Sequence, residues 1–187
     1  MTPLSRNTAL VLIDVQQAFN DPGWGQRNNP DAEERIAELL AAWRAGERPL
    51  IHIQHRRERP ASLFYVDGPG FPFKPQALPR AGEAVLHKDV NSAFIGTGLE
   101  QRLRAAGVTA VVIAGLTTDH CVSTTTRMAG NLGFETFIVE DATATFERTG
   151  PDGVHYSAQL MHDVALASLH GEFATVVSTR EVVAALA

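Results

Sequence analysis

The chain has 187 residues, 44% hydrophobic and 20% charged, which suits one domain with a single buried core and leaves no low-complexity tract or repeat to explain. Its net charge of -5 argues against a nucleic-acid partner, which would require a cationic face to displace phosphate counterions, and no apolar run reaches membrane-spanning length. A single cysteine excludes an internal disulfide framework, and the opening run "ALVLI" is too short for a signal segment and ends on Asp14, so a cytoplasmic protein is expected.

In chain order, "TALVLIDV" (8–15) predicts a first strand, and "NPDAEERIAELLAAWRAG" a helix with Ile36, Leu39, Leu40 and Trp43 on one face and Gly46 after its end. "PLIHIQ" (49–54) and "AVLHKD" (84–89) predict the next two strands, "GLEQRLRAAG" a second helix, and "TAVVIAG" (109–115) a fourth strand with a helix to follow. "FETFIVE" (134–140), a helix in "VHYSAQLMHDVALASLHG", "ATVVS" (174–178) and a short helix in "REVVAALA" complete the chain. Nearly continuous apolar runs mark strands covered on both faces. The alternation of strand and helix predicts one domain over residues 1–187, a three-layer α/β/α Rossmann-like fold with a six-stranded, mostly parallel sheet.

Residues 55–83 break the pattern, with Pro60, Pro69, Pro72, Pro75 and Pro79 among Phe64, Tyr65, Phe71 and Phe73. So many prolines exclude a central strand or a long helix. The aromatics predict an ordered excursion that lines a pocket or a subunit interface, the alternative being that they fold back on their own chain. The basic run His55–Arg59 reads either as a solvated loop or as a clamp for an anionic substrate.

Ligands of open parallel sheets bind at the carboxyl ends of the strands. Asp14, Lys88 and Cys121 fall there, on strand one, on strand three and just beyond strand four. Taken singly, Asp14 could cap a turn, Lys88 could be solvated and Cys121 could be a buried small hydrophobe. Together they have complementary chemistry. A helix N-terminus and a nearby ammonium favour the thiolate, and a carboxylate in contact can accept the thiol proton and return it to a leaving amine.

The runs "LVLIDVQQAF", "HKDVNSAF" and "GLTTDHCV", in this order and separation, resemble the motifs of the isochorismatase-like cysteine hydrolases, a family that includes nicotinamidases, N-carbamoylsarcosine amidohydrolase and ureidoacrylate amidohydrolases. The resemblance spans roughly residues 8 to 178. It implies Cys121 as nucleophile, Asp14 as base and Lys88 as third member of the triad. It also implies a cis peptide between Leu116 and Thr117, with the Thr117 and Cys121 backbone N–H groups aimed at one oxyanion. The expected reaction is hydrolysis of a C–N bond in a small amide, ureide or carbamoyl compound through a thioester, without a cofactor. Relatives commonly assemble, so a homodimer or homotetramer is expected.

Nicotinamidases of this family carry a metal site built from an Asp and several His just after the second strand. Here only His52 and His55 are available, with Ile53 and Gln54 where the Asp would stand, and two His at that spacing point to opposite faces of a strand. No metal is therefore expected. His55 is assigned to the substrate pocket with Phe19, Trp24, Phe94 and Tyr156, and His52 to the core. The competing readings are a metal-dependent nicotinamidase and a non-catalytic metabolite-binding module. The second would want a Gly-rich turn after strand one, where this chain has "DVQQAFNDPG".

Overall fold

The first strand, β1 (Ala9–Ile13), is buried at every position because it runs through the middle of a sheet covered on both faces. This computed structural model describes residues 1–186 of the chain. The other strands of the sheet are β2 (Leu50–His55), β3 (Ala84–Lys88), β4 (Ala110–Leu116), β5 (Glu135–Ala144) and β8 (Thr175–Val177). Their order is β3-β2-β1-β4-β5-β8, and all five neighbouring pairs are parallel. All six strands expected from the sequence are present.

Among the described residues five α-helices cover the sheet: α1 (Ala32–Ala45), α2 (Leu99–Ala105), α3 (Ser123–Asn131), α4 (Ala158–Leu169) and α5 (Thr179–Ala184). The run "REVVAALA" supplies most of α5, and its last residue, 187, lies outside the described residues. On α1 the predicted face is the buried one, and Trp43 is sealed by its indole N–H donating to the Thr8 carbonyl at 3.1 Å. The core is split by the sheet into two apolar layers, one centred on Val11, Ile13 and Ile113, the other on Leu10, Leu12 and Trp43.

One feature departs from the sequence reading. A small hairpin, β6 (Arg148–Thr149) with β7 (His155–Tyr156), follows β5, so Tyr156 lies in a strand and α4 begins only after Ser157, whose hydroxyl accepts from the Leu160 N–H at 3.2 Å. The aromatics of the 55–83 excursion are half-buried against the rest of the chain. Phe64 meets Phe19, Phe71 stacks on His87 and Phe73 meets His52 edge-on. No helix among the described residues is long and apolar enough to cross a membrane.

Candidate active site

The strand order reverses between β2-β1 and β1-β4, and the crevice at such a switch point is where open parallel sheets bind ligands. Asp14 follows β1 with φ at 51°, a left-handed conformation uncommon outside glycine. Its backbone N–H still donates to Ile53 at 3.0 Å. Gly115 of β4 makes the crevice narrow: a Cβ there would lie 2.1 Å from the Ile13 carbonyl oxygen, so β1 can come this close only to a glycine.

Past the last β1 residue, Gln16 continues the pairing with its side chain. Its amide oxygen accepts from the His55 N–H at 2.8 Å, and its amide nitrogen donates to the His55 carbonyl at 3.0 Å and to the Phe71 carbonyl at 2.8 Å. One buried glutamine thus fixes the end of β2 and the base of the excursion. The sequence signal for it, a polar residue two places after a catalytic-type Asp, is weak, and the residue reading missed it.

Asp14, Lys88 and Cys121 come together from three strand ends. The Lys88 Nζ donates one N–H to Asp14 Oδ2 at 2.6 Å and shares a second between the Val90 carbonyl at 3.2 Å and Cys121 Sγ at 3.3 Å. These three residues are 0%, 3% and 9% exposed. His55 joins them, its Nδ1 being 3.0 Å from Lys88 Nζ. That atom faces an ammonium, so it acts as the acceptor and the ring proton sits on Nε2. Burial, then the charges of Lys88 and Arg57, lower the His55 pKa to about 3, so the ring is neutral.

The thiol is not the activated thiolate that a helix start and an adjacent ammonium suggest. Burial, followed by the Asp14 charge, outweighs Lys88 and pushes Cys121 up to about 12. Burial likewise raises Asp14 above the usual carboxylate range, against the pull of Lys88. Cys121 also sits one step earlier than a helix N-terminus, inside a π-helical turn (Thr118–Val122) that runs into α3. That turn is braced from below. The Thr117 carbonyl accepts from the N–H groups of His120 and Val122, the Thr118 hydroxyl meets His162 Nδ1 at 2.9 Å, and Asp119 accepts from the Thr145 hydroxyl and from Arg148 Nε at 3.3 Å. The peptide between Leu116 and Thr117 is cis.

An aromatic wall flanks the cluster. His55 packs on Phe64 with ring centres 4.8 Å apart, and Phe64 lies 5.3 Å from Phe19. Phe19 in turn meets Trp24 at 5.3 Å and Phe146 at 6.2 Å, in one apolar cluster with Leu116. Phe19, Trp24 and His55 therefore share one wall, to which Phe64 and Phe146 belong as well. Phe146, two residues beyond the end of β5, could have been found by asking the strand-end question of every strand. Phe94 stacks on Phe134, just before β5, and packs against the apolar layer that contains Cys121. Tyr156 is held in the β6–β7 hairpin, paired with Arg148.

His52 and His55 occupy opposite faces of β2. His52 turns to Glu83, 3.0 Å away, so the two imidazoles cannot share an ion. Among the described residues the side chains placed to hold a metal are Asp14, His55 and Cys121, whose ligand atoms lie within 4.8 Å of one another. Beside Lys88 a cleft of about 540 Å³ opens, lined by Arg56, Arg57, Glu58, His87 and Asp89.

The isochorismatase domain matches residues 8–181. The chain belongs to the isochorismatase family. The Bacillus subtilis (strain 168) isochorismatase family protein YrdC is 47% identical over 180 residues, 96% of each chain. The maleamate amidohydrolase of Pseudomonas putida is 33% identical over 153 residues, 73% of this chain and 71% of its own. A crystal structure of an isochorismatase-family protein from Chromobacterium violaceum ATCC 12472 superposes with a TM-score of 0.96 at 48% identity, covering 100% of this chain and 98% of the other. This isochorismatase-family chain is a hydrolase, with amidohydrolases among its relatives.

Proposed function

We propose that the protein is a cysteine amidohydrolase that cleaves the C–N bond of a small amide, ureide or carbamoyl compound through a thioester on Cys121. One observation carries this reading: a buried Lys88 ammonium bridges the Asp14 carboxylate, at 2.6 Å, and the Cys121 sulfur, at 3.3 Å.

Burial pushes the Cys121 thiol up to about 12, so the resting nucleophile is the thiol rather than a free thiolate. The proton must leave as sulfur attacks. Asp14 Oδ1 is buried and has no protein partner, which makes it the oxygen free to take that proton. The sulfur adds to the carbonyl carbon, and the oxyanion settles between the backbone N–H groups of Thr117 and Cys121, each donor contributing about 3 kcal/mol to the transition state. Asp14 then protonates the departing nitrogen, and the C–N bond breaks. Water adds to the thioester with Asp14 again as base, the acid leaves and the thiol regains its proton. Lys88 holds the carboxylate in place throughout, and the wall of Phe19, Trp24 and Phe64 gives the acyl group a partly apolar seat. No step needs a cofactor.

The test is ammonia release from a panel of small amides and ureides, maleamate included. Wild-type protein is expected to turn over at least one member, at a rate that survives EDTA, and Cys121→Ala is expected to turn over none. Equal turnover by Cys121→Ala would remove the nucleophile from the mechanism, and a stoichiometric metal required for activity would remove the cofactor-free reading.

A further inference from the structure

The ligand set at the strand ends has a second chemistry besides acyl transfer. Asp14, His55 and Cys121 provide one carboxylate oxygen, one imidazole nitrogen and one sulfur within 4.8 Å of each other, the mixed donor set that tetrahedral zinc accepts with one position left over. Their common neighbour is the Lys88 ammonium, at 2.6 Å from the oxygen, 3.0 Å from the nitrogen and 3.3 Å from the sulfur. A cation of the chain's own therefore stands at the point where a metal would be ligated. Zinc–ligand bonds run about 2.0–2.3 Å, so the three donors need to close in by an ångström or less.

Two further observations favour exchange of one cation for the other. The His55 lone pair already points at the central position, so the tautomer that receives the ammonium is the one that ligates a metal. Lys88 also has room to move, because it lines the 540 Å³ cleft together with Asp89 and with Glu58, which is paired with Arg56.

We propose that this cluster is also a binding site for a thiophilic divalent cation, zinc or cadmium, which takes the place of the Lys88 ammonium and blocks the nucleophile. On binding, the metal gains bonds to the carboxylate oxygen, the imidazole nitrogen and the sulfur. The S–H bond breaks and its proton passes to water, while Lys88 keeps its proton and swings into the cleft. No electron is transferred. Magnesium and calcium are excluded by chemistry, since two of the three donors are nitrogen and sulfur.

The experiment is equilibrium dialysis of the full chain against chelator-buffered zinc, with cobalt(II) as an optical probe for a thiolate-to-metal charge-transfer band. Neither readout needs substrate, so failure here leaves the amidase reading standing and failure of that reading leaves this one standing. One zinc per chain is expected. His55→Ala and Cys121→Ser should each weaken binding at least about tenfold, and Lys88→Ala, which removes the competing cation, should tighten it by a similar factor. If Lys88→Ala does not fold, the wild type still decides: bound zinc should protect Cys121 from iodoacetamide. Absence of stoichiometric zinc, zinc indifferent to the His55 and Lys88 substitutions, or unprotected Cys121 at saturating zinc would overturn the proposal.

Discussion

Asp14 and Cys121 divide one proton between them, and both are pushed toward their neutral forms by burial. The rate should therefore follow the ionised fraction of Asp14. Since its pKa is raised above 3.8, the acid limb of kcat/KM lies above that of an ordinary aspartate, and activity falls as pH drops through it. Asp14→Asn and Lys88→Ala are each expected to remove most turnover with the fold intact by circular dichroism. A pH–rate profile without an acid limb would take the base role from Asp14. His55 gives a separate prediction. Its folded pKa of about 3 is depressed from 6.5, so the unfolded chain binds the proton first, and stability is lost as pH falls from 6.5 toward 3. The slope from one such group is at most about 1.4 kcal/mol per pH unit. Urea unfolding of His55→Asn at pH 7, 5 and 4 should show a shallower loss than wild type; parallel curves would mean that the ring is protonated in the folded state.

At the level of elements, the site depends on how closely strands and the 55–83 excursion are held. Gly115→Ala places a methyl 2.1 Å from the Ile13 carbonyl oxygen, and it is expected to lower both the melting temperature and activity by prising β1 from β4. The excursion is fastened at its far end by Lys74, whose ammonium lies 2.6 Å from Glu33, itself bidentate to Arg27. Glu33→Ala strands a buried lysine and should cost about 3–5 kcal/mol in urea unfolding; a loss under about 1 kcal/mol would show that the network is solvated.

The same elements show what the sequence discloses. Runs such as "LVLI" and "AVVIAG" spell central parallel strands by themselves, and strand ends then locate Asp14, Lys88 and Cys121. The β6–β7 hairpin escaped because strands of two residues leave no periodicity. The height of the Cys121 pKa was invisible as well, since it depends on burial rather than on the neighbours that a motif names.

Across the whole molecule, a net charge of -5 coexists with a basic run beside the site, and the aromatics of the 55–83 excursion are only half-buried within the chain. Leu63, Leu78, Val90 and Ile95 are large apolar side chains left exposed in the segments after β2 and β3. A homodimer or homotetramer is expected by light scattering, and a monodisperse monomer at micromolar concentration would contradict it. The central claim concerns one covalent bond. Enzyme quenched in acid during steady turnover of whichever panel amide it hydrolyses, then digested and weighed, should carry the acyl group of that amide on the peptide containing Cys121. Turnover at full rate with that peptide unmodified at every quench time, and undiminished by Cys121→Ala, would contradict the account.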